Sequence, residues 1–242
     1  MELLIIIAIL IITIILTRIV YKINIRQIKQ IGENSKKLDE IVKRYPSNIE
    51  ICRSILKELN NEKVRIQEDK EANNCLYIAV LDKILIANMR DSFTRIQTIA
   101  HECLHSVQDK RILLFNFIYS CFYLIFFYVL FLLGIFKMLP NKMLFISIYV
   151  ILSYIYFFVR SYLENDAMIK ARFLANDYME AVNISTKDEI QEIIQEYDKL
   201  NNLGIKTVNY SLFSKTIFKT IILCLIFLIR WGFLWIYIQR HI

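Results

Sequence analysis

The sequence has few of the residues that interrupt regular structure. It contains four glycines and two prolines in 242 residues, and no repeat or low-complexity linker divides it. Hydrophobic side chains make up 56% of the chain, which is more than an ordinary soluble domain of this length carries. We therefore expect one domain or two small ones, with part of the chain inside a lipid bilayer.

Cysteine and charge set further limits. Five cysteines are an odd number, and Cys121 and Cys224 fall within apolar stretches, so the sequence indicates no disulfide framework and favours a reducing compartment. The formal net charge of +7 is spread along the chain instead of forming an aromatic-interleaved basic patch. We therefore expect no nucleic-acid partner, and we attribute the charge to attraction by anionic lipids.

Four apolar stretches are long enough to cross about 30 Å of hydrocarbon as helices. The first lacks a basic segment before it and a small-residue cleavage site after it, so we predict a retained anchor instead of a signal peptide. The link KMLPNK predicts that the second and third form an antiparallel hairpin. The fourth carries Lys219 near its start and Arg230 within it, and Arg230 is expected to face protein or water in a structural role. The predicted spans are residues 2–21, 112–136, 143–159 and 216–238.

The orientation follows from the basic residues after the first span, which favour the cytoplasmic side. Lys137 and Lys142 in the link KMLPNK weigh against this orientation without reversing it. We therefore predict a multi-pass protein of the cell membrane with its polar regions and active site on the cytoplasmic face. The predicted parts are an anchor (1–21), a cytoplasmic α+β region (22–111), a transmembrane hairpin (112–159), a cytoplasmic helical region (160–215) and a C-terminal transmembrane helix (216–242).

The sequence of the polar regions predicts a definite order of helices and strands. Pro46 should end a polar helix over 25–44, and Ser47 or Asn48 should cap the next helix. Asp91 or Ser92 is expected to cap the helix that contains two of the three histidines, and Gly204 should stop the last polar helix, which begins near Thr186 or Asp188. The predicted elements are helices at 25–44, 48–60, 93–110, 160–182 and 186–204, a strand at 64–68 and a hairpin of CLYIAV and KILIAN around Leu81 and Asp82.

The segment AHECLHSVQ contains the strongest chemical signal. On a helix His101 and His105 lie one turn apart on one face, so both imidazoles can bind one metal ion. Glu102 lies about 100° around the helix, where it can take a proton from a water molecule that the metal activates. The pattern His-Glu-x-x-His is typical of zinc hydrolases, which predicts one Zn²⁺ ion as cofactor.

A hydrolytic zinc site needs a third protein ligand and one open position. The topology places His241 across the membrane, so we expect a carboxylate on the cytoplasmic side. Glu164 at the end of the third span is the favoured candidate. Asp166 is its main rival and is also a candidate for orienting a histidine. The other carboxylates considered are Asp109, Asp177 and Glu180.

The pattern AHECLHSVQ, followed after two predicted spans by ENDA, resembles the YugP-like neutral zinc metallopeptidases and, more distantly, the HtpX-type and CAAX prenyl endopeptidases. The similarity covers residues 1–180. It implies a zincin-like α+β domain beside the membrane, zinc bound by His101, His105 and Glu164, and Glu102 as the general base. Leu104 departs from the pattern, since such families often have Gly before the second histidine.

The function expected from these features is hydrolysis of peptide or membrane-protein substrates by a membrane-bound zinc metalloprotease. The strand KILIAN is expected either to offer an edge to an extended substrate or to support the active helix as part of a buried hairpin. Tyr162, Arg172 and Tyr178 are candidates for stabilising the oxyanion by side-chain type only. One alternative is an intramembrane site-2-type protease, although the chain lacks the expected Asp-Gly motif. The other is a zinc-binding scaffold without enzymatic activity.

Overall fold

The structure is a computed structural model that describes residues 1–24, 26–27, 30–31, 35–69, 71–72, 74–89 and 92–228. Arg230, His241 and residues 229–238 of the predicted fourth span lie outside the described residues. The described part of the chain forms α1 (Glu2–Val20), α2 (Lys36–Lys43), α3 (Asn48–Glu58), β1 (Arg65–Asp69), β2 (Leu76–Ile78), β3 (Lys83–Ala87), α4 (Arg95–Val107), α5 (Lys110–Ile135), α6 (Lys142–Val182) and α7 (Lys187–Leu228).

Four helices, α1, α5, α6 and α7, are long and apolar enough to cross a membrane. Helix α6 is continuous over 41 residues, so the predicted third span and the polar helix after it are one element. Together with the small three-stranded sheet, these helices confirm the expected class in outline: a mostly helical chain with four span-length apolar helices and a small α+β region.

The chain divides into two compact units, and the first contains most of the apolar helical sequence. It comprises Met1–Lys22, Phe117–Val159 and the chain from Asn209 onward. Tyr123 stacks between Tyr149 and Tyr156, with ring centroids 5.1 and 4.9 Å apart, and the Tyr149 hydroxyl donates to the Tyr123 hydroxyl at 2.7 Å. The buried hydroxyl groups are thus paired with one another, as an apolar environment requires.

The second unit comprises Ile23–Asn116 and Arg160–Val208 and has one shared hydrophobic core. Ser47 caps α3 as predicted, because its side chain accepts from Glu50 N while the Glu50 carboxylate accepts from Ser47 N. The core draws residues from α2, α3, the sheet, α4, α6 and α7. The polar segments before α5 and those after the start of α6 therefore fold together as one body.

The sheet has the strand order β1-β3-β2, with β1 parallel and β2 antiparallel to β3. The predicted hairpin of β2 and β3 is confirmed. The prediction that KILIAN offers a free edge is wrong, because β3 pairs on both sides and Ile84, Ile86 and Ala87 are fully buried. The edge strands of the described sheet are β1 and β2.

Three predicted helix boundaries are wrong. The helix expected over 25–44 is interrupted at Ser35, the N-cap of α2, and residues 25, 28–29 and 32–34 of the prediction lie outside the described residues. The helix with the histidines ends at Val107, since Gln108 has an extended backbone (φ −62°, ψ 159°). Gly204 does not stop α7, which continues to Leu228. A Cβ atom at Gly204 would lie 3.1 Å from Met168 Cε, so this glycine allows close packing against α6.

Candidate metal centre

Helix α4 is positioned by a buried arginine at its first turn. Thr94 is its N-cap and makes no side-chain capping bond, so the predicted cap at Ser92 is wrong, and Asp91 lies outside the described residues. Arg95 is fully buried, and its guanidinium donates four hydrogen bonds that replace lost hydration. The acceptors are Pro46 O (3.0 Å), Asn48 Oδ1 (2.8 Å), Val42 O (2.8 Å) and Tyr45 O (3.0 Å).

One face of α4 is held in the core of the second unit, where Ile96, Ile99 and Cys103 are fully buried. This packing turns His101 and His105 towards α6. Leu104 is also part of the core, with 8% of its surface exposed. Leu104, where the families that the motif resembles often have Gly, therefore contributes packing surface to this core.

The two histidines meet Glu164 of α6. His101 Nε2 lies 3.1 Å from His105 Nε2, and Glu164 Oε2 lies 3.6 and 3.7 Å from these two nitrogen atoms. The three side chains are only 13–16% exposed. Among the described residues this is the group of His, Cys, Asp and Glu side chains whose donor atoms converge closely enough to hold a metal ion.

The geometry of these donors fits zinc. Atoms bound to a tetrahedral zinc ion at 2.0–2.2 Å lie about 3.3–3.5 Å from each other, and the three observed separations bracket that range. Two neutral imidazole nitrogens and one carboxylate oxygen form a donor set found in catalytic zinc sites, with a fourth position left for water. His101, His105 and Glu164 can therefore take the ion with shifts of a few tenths of an ångström.

Glu102 is next to these donors in sequence but points elsewhere. Its side chain is buried, and Oε2 accepts a hydrogen bond of 2.6 Å from the backbone N–H of Tyr77 in β2. Strand β2 is an edge strand of the described sheet, so its outward N–H groups need partners from outside the sheet. The carboxylate of Glu102 is thus held against the edge strand β2.

The electrostatics of the centre favour a charged carboxylate beside the histidines. Burial opposes ionisation of Glu164, but the neighbouring His101 and His105 imidazoles and the charge of Arg160 outweigh burial and hold its pKa far below the usual range. Arg160 Nη2 lies 2.9 Å from Glu164 Oε1, which leaves Oε2 facing the histidines. Burial lowers the pKa of His105, yet the neighbouring Glu164 carboxylate and the hydrogen bond with Gln108 raise it overall.

Asp166 lies close to the centre without touching a histidine. Its Oδ2 accepts from Gln108 Nε2 at 3.1 Å, and Gln108 Oε1 lies 2.8 Å from His105 Nδ1. Lys170 pairs with the other oxygen of Asp166 at 2.5 Å. The predicted contact of Asp166 with a histidine is therefore indirect, with Gln108 between them.

The remaining candidates have other partners or other places. Asp109 pairs with Arg111, and Glu180 accepts from Asn176 on the surface of α6. Asp177, like these two, is outside the converging group within the described residues. Of the candidates for an oxyanion group, Tyr178 is buried against Tyr45, Arg172 pairs with Asp198 at 2.8 Å, and Tyr162 is 59% exposed.

Three residues of the centre were not predicted in their present roles: Tyr77, Gln108 and Arg160. Arg160 could have been found from the sequence, because it precedes Glu164 by four residues on one helix. For Gln108 the sequence indicates only that it belongs to the motif AHECLHSVQ. The contact of Tyr77 depends on its backbone N–H, for which no side-chain pattern gives a signal.

Comparisons of the chain with protein-family models, with curated proteins and with solved structures found no match. The functional argument therefore rests on the geometry of the centre.

Proposed function

We propose that this protein is a membrane-bound, zinc-dependent endopeptidase of the type that the resemblance to YugP-like metallopeptidases implies. The observation that carries the proposal is the convergence of His101, His105 and Glu164 at separations close to those of a tetrahedral zinc site. A carboxylate directly after the first histidine completes the residue set that metal-assisted peptide hydrolysis needs.

In this mechanism His101, His105 and Glu164 would hold one zinc ion. Such an ion would lower the pKa of a water molecule to about 7 and polarise the scissile carbonyl. Glu102 accepts the proton of the attacking water and returns it to the leaving amine. Its hydrogen bond with the Tyr77 N–H orients the carboxylate.

The edge of β2 is the proposed place for an extended substrate. Tyr77 binds Glu102 through its outward-facing N–H, so a peptide paired with this edge would run past the general base. Strand addition supplies backbone hydrogen bonds that do not depend on the substrate sequence. This assignment moves the predicted substrate strand from KILIAN to its neighbour in the sheet.

We place the active site on the cytoplasmic face of the cell membrane, with peptides or membrane proteins as substrates. The basic residues after α1 support this orientation. The intramembrane alternative is not favoured, because the histidines and Glu102 belong to α4, whose 13 residues are fewer than the roughly 20 needed to cross a bilayer. A zinc-binding scaffold without activity remains an outcome that the following experiment distinguishes.

The proposal is tested with purified full-length protein in lipid nanodiscs. Metal analysis of the wild type should give one zinc per chain, and His101→Ala should lose it. Glu102→Gln should keep the zinc, because Glu102 is not among the three donors, and should cut hydrolysis of an unstructured peptide mixture by at least the 10²–10⁴-fold typical of a lost general base. Hydrolysis by zinc-loaded Glu102→Gln at the wild-type rate would refute the role of Glu102. Zinc binding without any hydrolysis by the wild type would favour the scaffold.

A further inference from the structure

Gln108 links the end of α4 to α6 through three hydrogen bonds. It follows α4 directly and has an extended backbone. Its Nε2 donates to Leu163 O at 2.8 Å and to Asp166 Oδ2 at 3.1 Å, while Oε1 lies 2.8 Å from His105 Nδ1. One side chain thus contacts a metal-binding histidine and two acceptors on the helix that supplies Glu164.

The two acceptors on α6 determine which way the amide of Gln108 points. The Leu163 carbonyl and the Asp166 carboxylate have no hydrogen to donate, so they require the NH₂ group of Gln108 on their side. The amide oxygen then faces His105 and accepts a hydrogen bond from its Nδ1–H. A neutral imidazole carries only one N–H, so His105 Nε2 keeps a free lone pair. That nitrogen faces His101 and Glu164.

We propose that Gln108 is a positioning residue that holds His105 in the tautomer and orientation in which Nε2 binds the metal. Asp166 acts through Gln108, since it helps to set the direction of the amide and does not touch the imidazole. This inference rests on the metal site described under the proposed function. It assigns to a neutral amide the place that a carboxylate or backbone carbonyl usually takes behind a metal-binding histidine.

The test compares two amide side chains, Gln108 and Asn61, that both form hydrogen bonds with the last turn of α4. Gln108→Leu removes the bond to His105 at similar side-chain size. Asn61→Leu is the matched control, because Asn61 Nδ2 donates to Ser106 O (3.1 Å) and Ser106 Oγ (2.9 Å), and these hydrogen bonds involve neither His101 nor His105. Three properties of the full chain are measured in nanodiscs: zinc affinity by competition with a chromophoric chelator, thermal stability, and the ¹⁵N spectrum of labelled histidine.

The expected zinc affinity of Gln108→Leu is about 10–100-fold weaker than that of the wild type, the range found when an outer partner of a ligand is lost. Asn61→Leu should lower stability and leave zinc affinity within about threefold of the wild type. The chain has three histidines, so their ¹⁵N signals can be assigned with single variants. In metal-free protein at alkaline pH, His105 should be in the Nδ1–H form in the wild type and lose that preference only in Gln108→Leu.

A rescue variant separates positioning from packing. Gln108→Glu keeps an acceptor for His105 Nδ1–H, but it sets a second carboxylate beside Asp166 and the Leu163 carbonyl, so its zinc affinity should fall. Combining it with Asp166→Asn supplies a new NH₂ donor to the introduced carboxylate. The double variant should therefore bind zinc more tightly than Gln108→Glu alone, a gain that a loss of packing does not produce.

Two results would overturn the inference. One is an unchanged ¹⁵N tautomer of His105 in Gln108→Leu together with zinc affinity within about threefold of the wild type. The other is an equal fall in stability and zinc affinity in Gln108→Leu and Asn61→Leu, which would make Gln108 a purely structural link. Failure of the wild type to bind zinc would instead refute the proposed function, while the tautomer comparison would still decide the role of Gln108.

Discussion

Replacing Glu164 tests the centre at the point where two distant parts of the sequence meet. Glu164→Ala removes one of three donors and leaves two neutral imidazoles 3.1 Å apart. The lost donor is also the charged one, because its pKa is held far below the usual range. The loss of zinc affinity should therefore exceed the about 10–100-fold typical of changes outside the ligand set.

Two other carboxylates on α6 provide graded controls for this change. Glu180 is 16 residues further along the same helix, about 24 Å at 1.5 Å per residue, so Glu180→Ala should leave zinc affinity unchanged. The zinc affinity of Asp166→Ala should lie between those of Glu164→Ala and Glu180→Ala, because the Leu163 carbonyl still orients the amide of Gln108. Chelator competition on the purified full-length variants measures all three affinities.

The order of these affinities can refute the ligand assignment. If Asp166→Ala loses zinc while Glu164→Ala keeps it, the two carboxylates have exchanged roles. If both variants and their combination bind zinc as tightly as the wild type, the third ligand is a different residue, and the proposed centre is wrong. Circular dichroism should confirm that each variant keeps its helical content.

Two further predictions concern pH and sidedness. In metal-free protein, the raised pKa of His105 contributes stability that is complete below pH 6.5 and is lost as the pH rises through the raised pKa. The lowered pKa of Glu164 contributes stability that is complete above pH 4.5 and is lost as the pH falls through the lowered pKa. The melting temperatures of wild type and Glu164→Gln should thus differ most at about pH 4.5–6.5. A difference in melting temperature that does not depend on pH would contradict this coupling. For sidedness, single cysteines replacing the exposed Lys36, Lys187 and Met138 in a Cys121→Ser background are treated with an impermeant maleimide on intact cells. Only Met138→Cys should react, and labelling of Lys36→Cys or Lys187→Cys in sealed cells would contradict the proposed orientation.

Local sequence signals were sufficient to predict those features that depend on residues close together in the chain. The apolar stretches predicted α1 and α5 to within two residues at each end, because a long unbroken apolar run is by itself a signal for a helix of span length. The Ser47 cap depends on a residue three positions away, and the facing of His101 and His105 depends on one helical turn. These features required no knowledge of the fold.

Tertiary structure decided every feature that depends on which elements are neighbours. The sheet order makes β3 central, since its pairing with β1 joins strands separated along the chain, and this moved the free edge to β2. Close packing on Met168 explains why Gly204 sits inside a helix, although glycine alone is a stop signal. The choice of Glu164 over Asp166 was open in sequence because both lie on the same short segment of α6. Their directions around the helix, set by how α6 packs on α4 in the shared core, aim one carboxylate at the histidines and the other at Gln108.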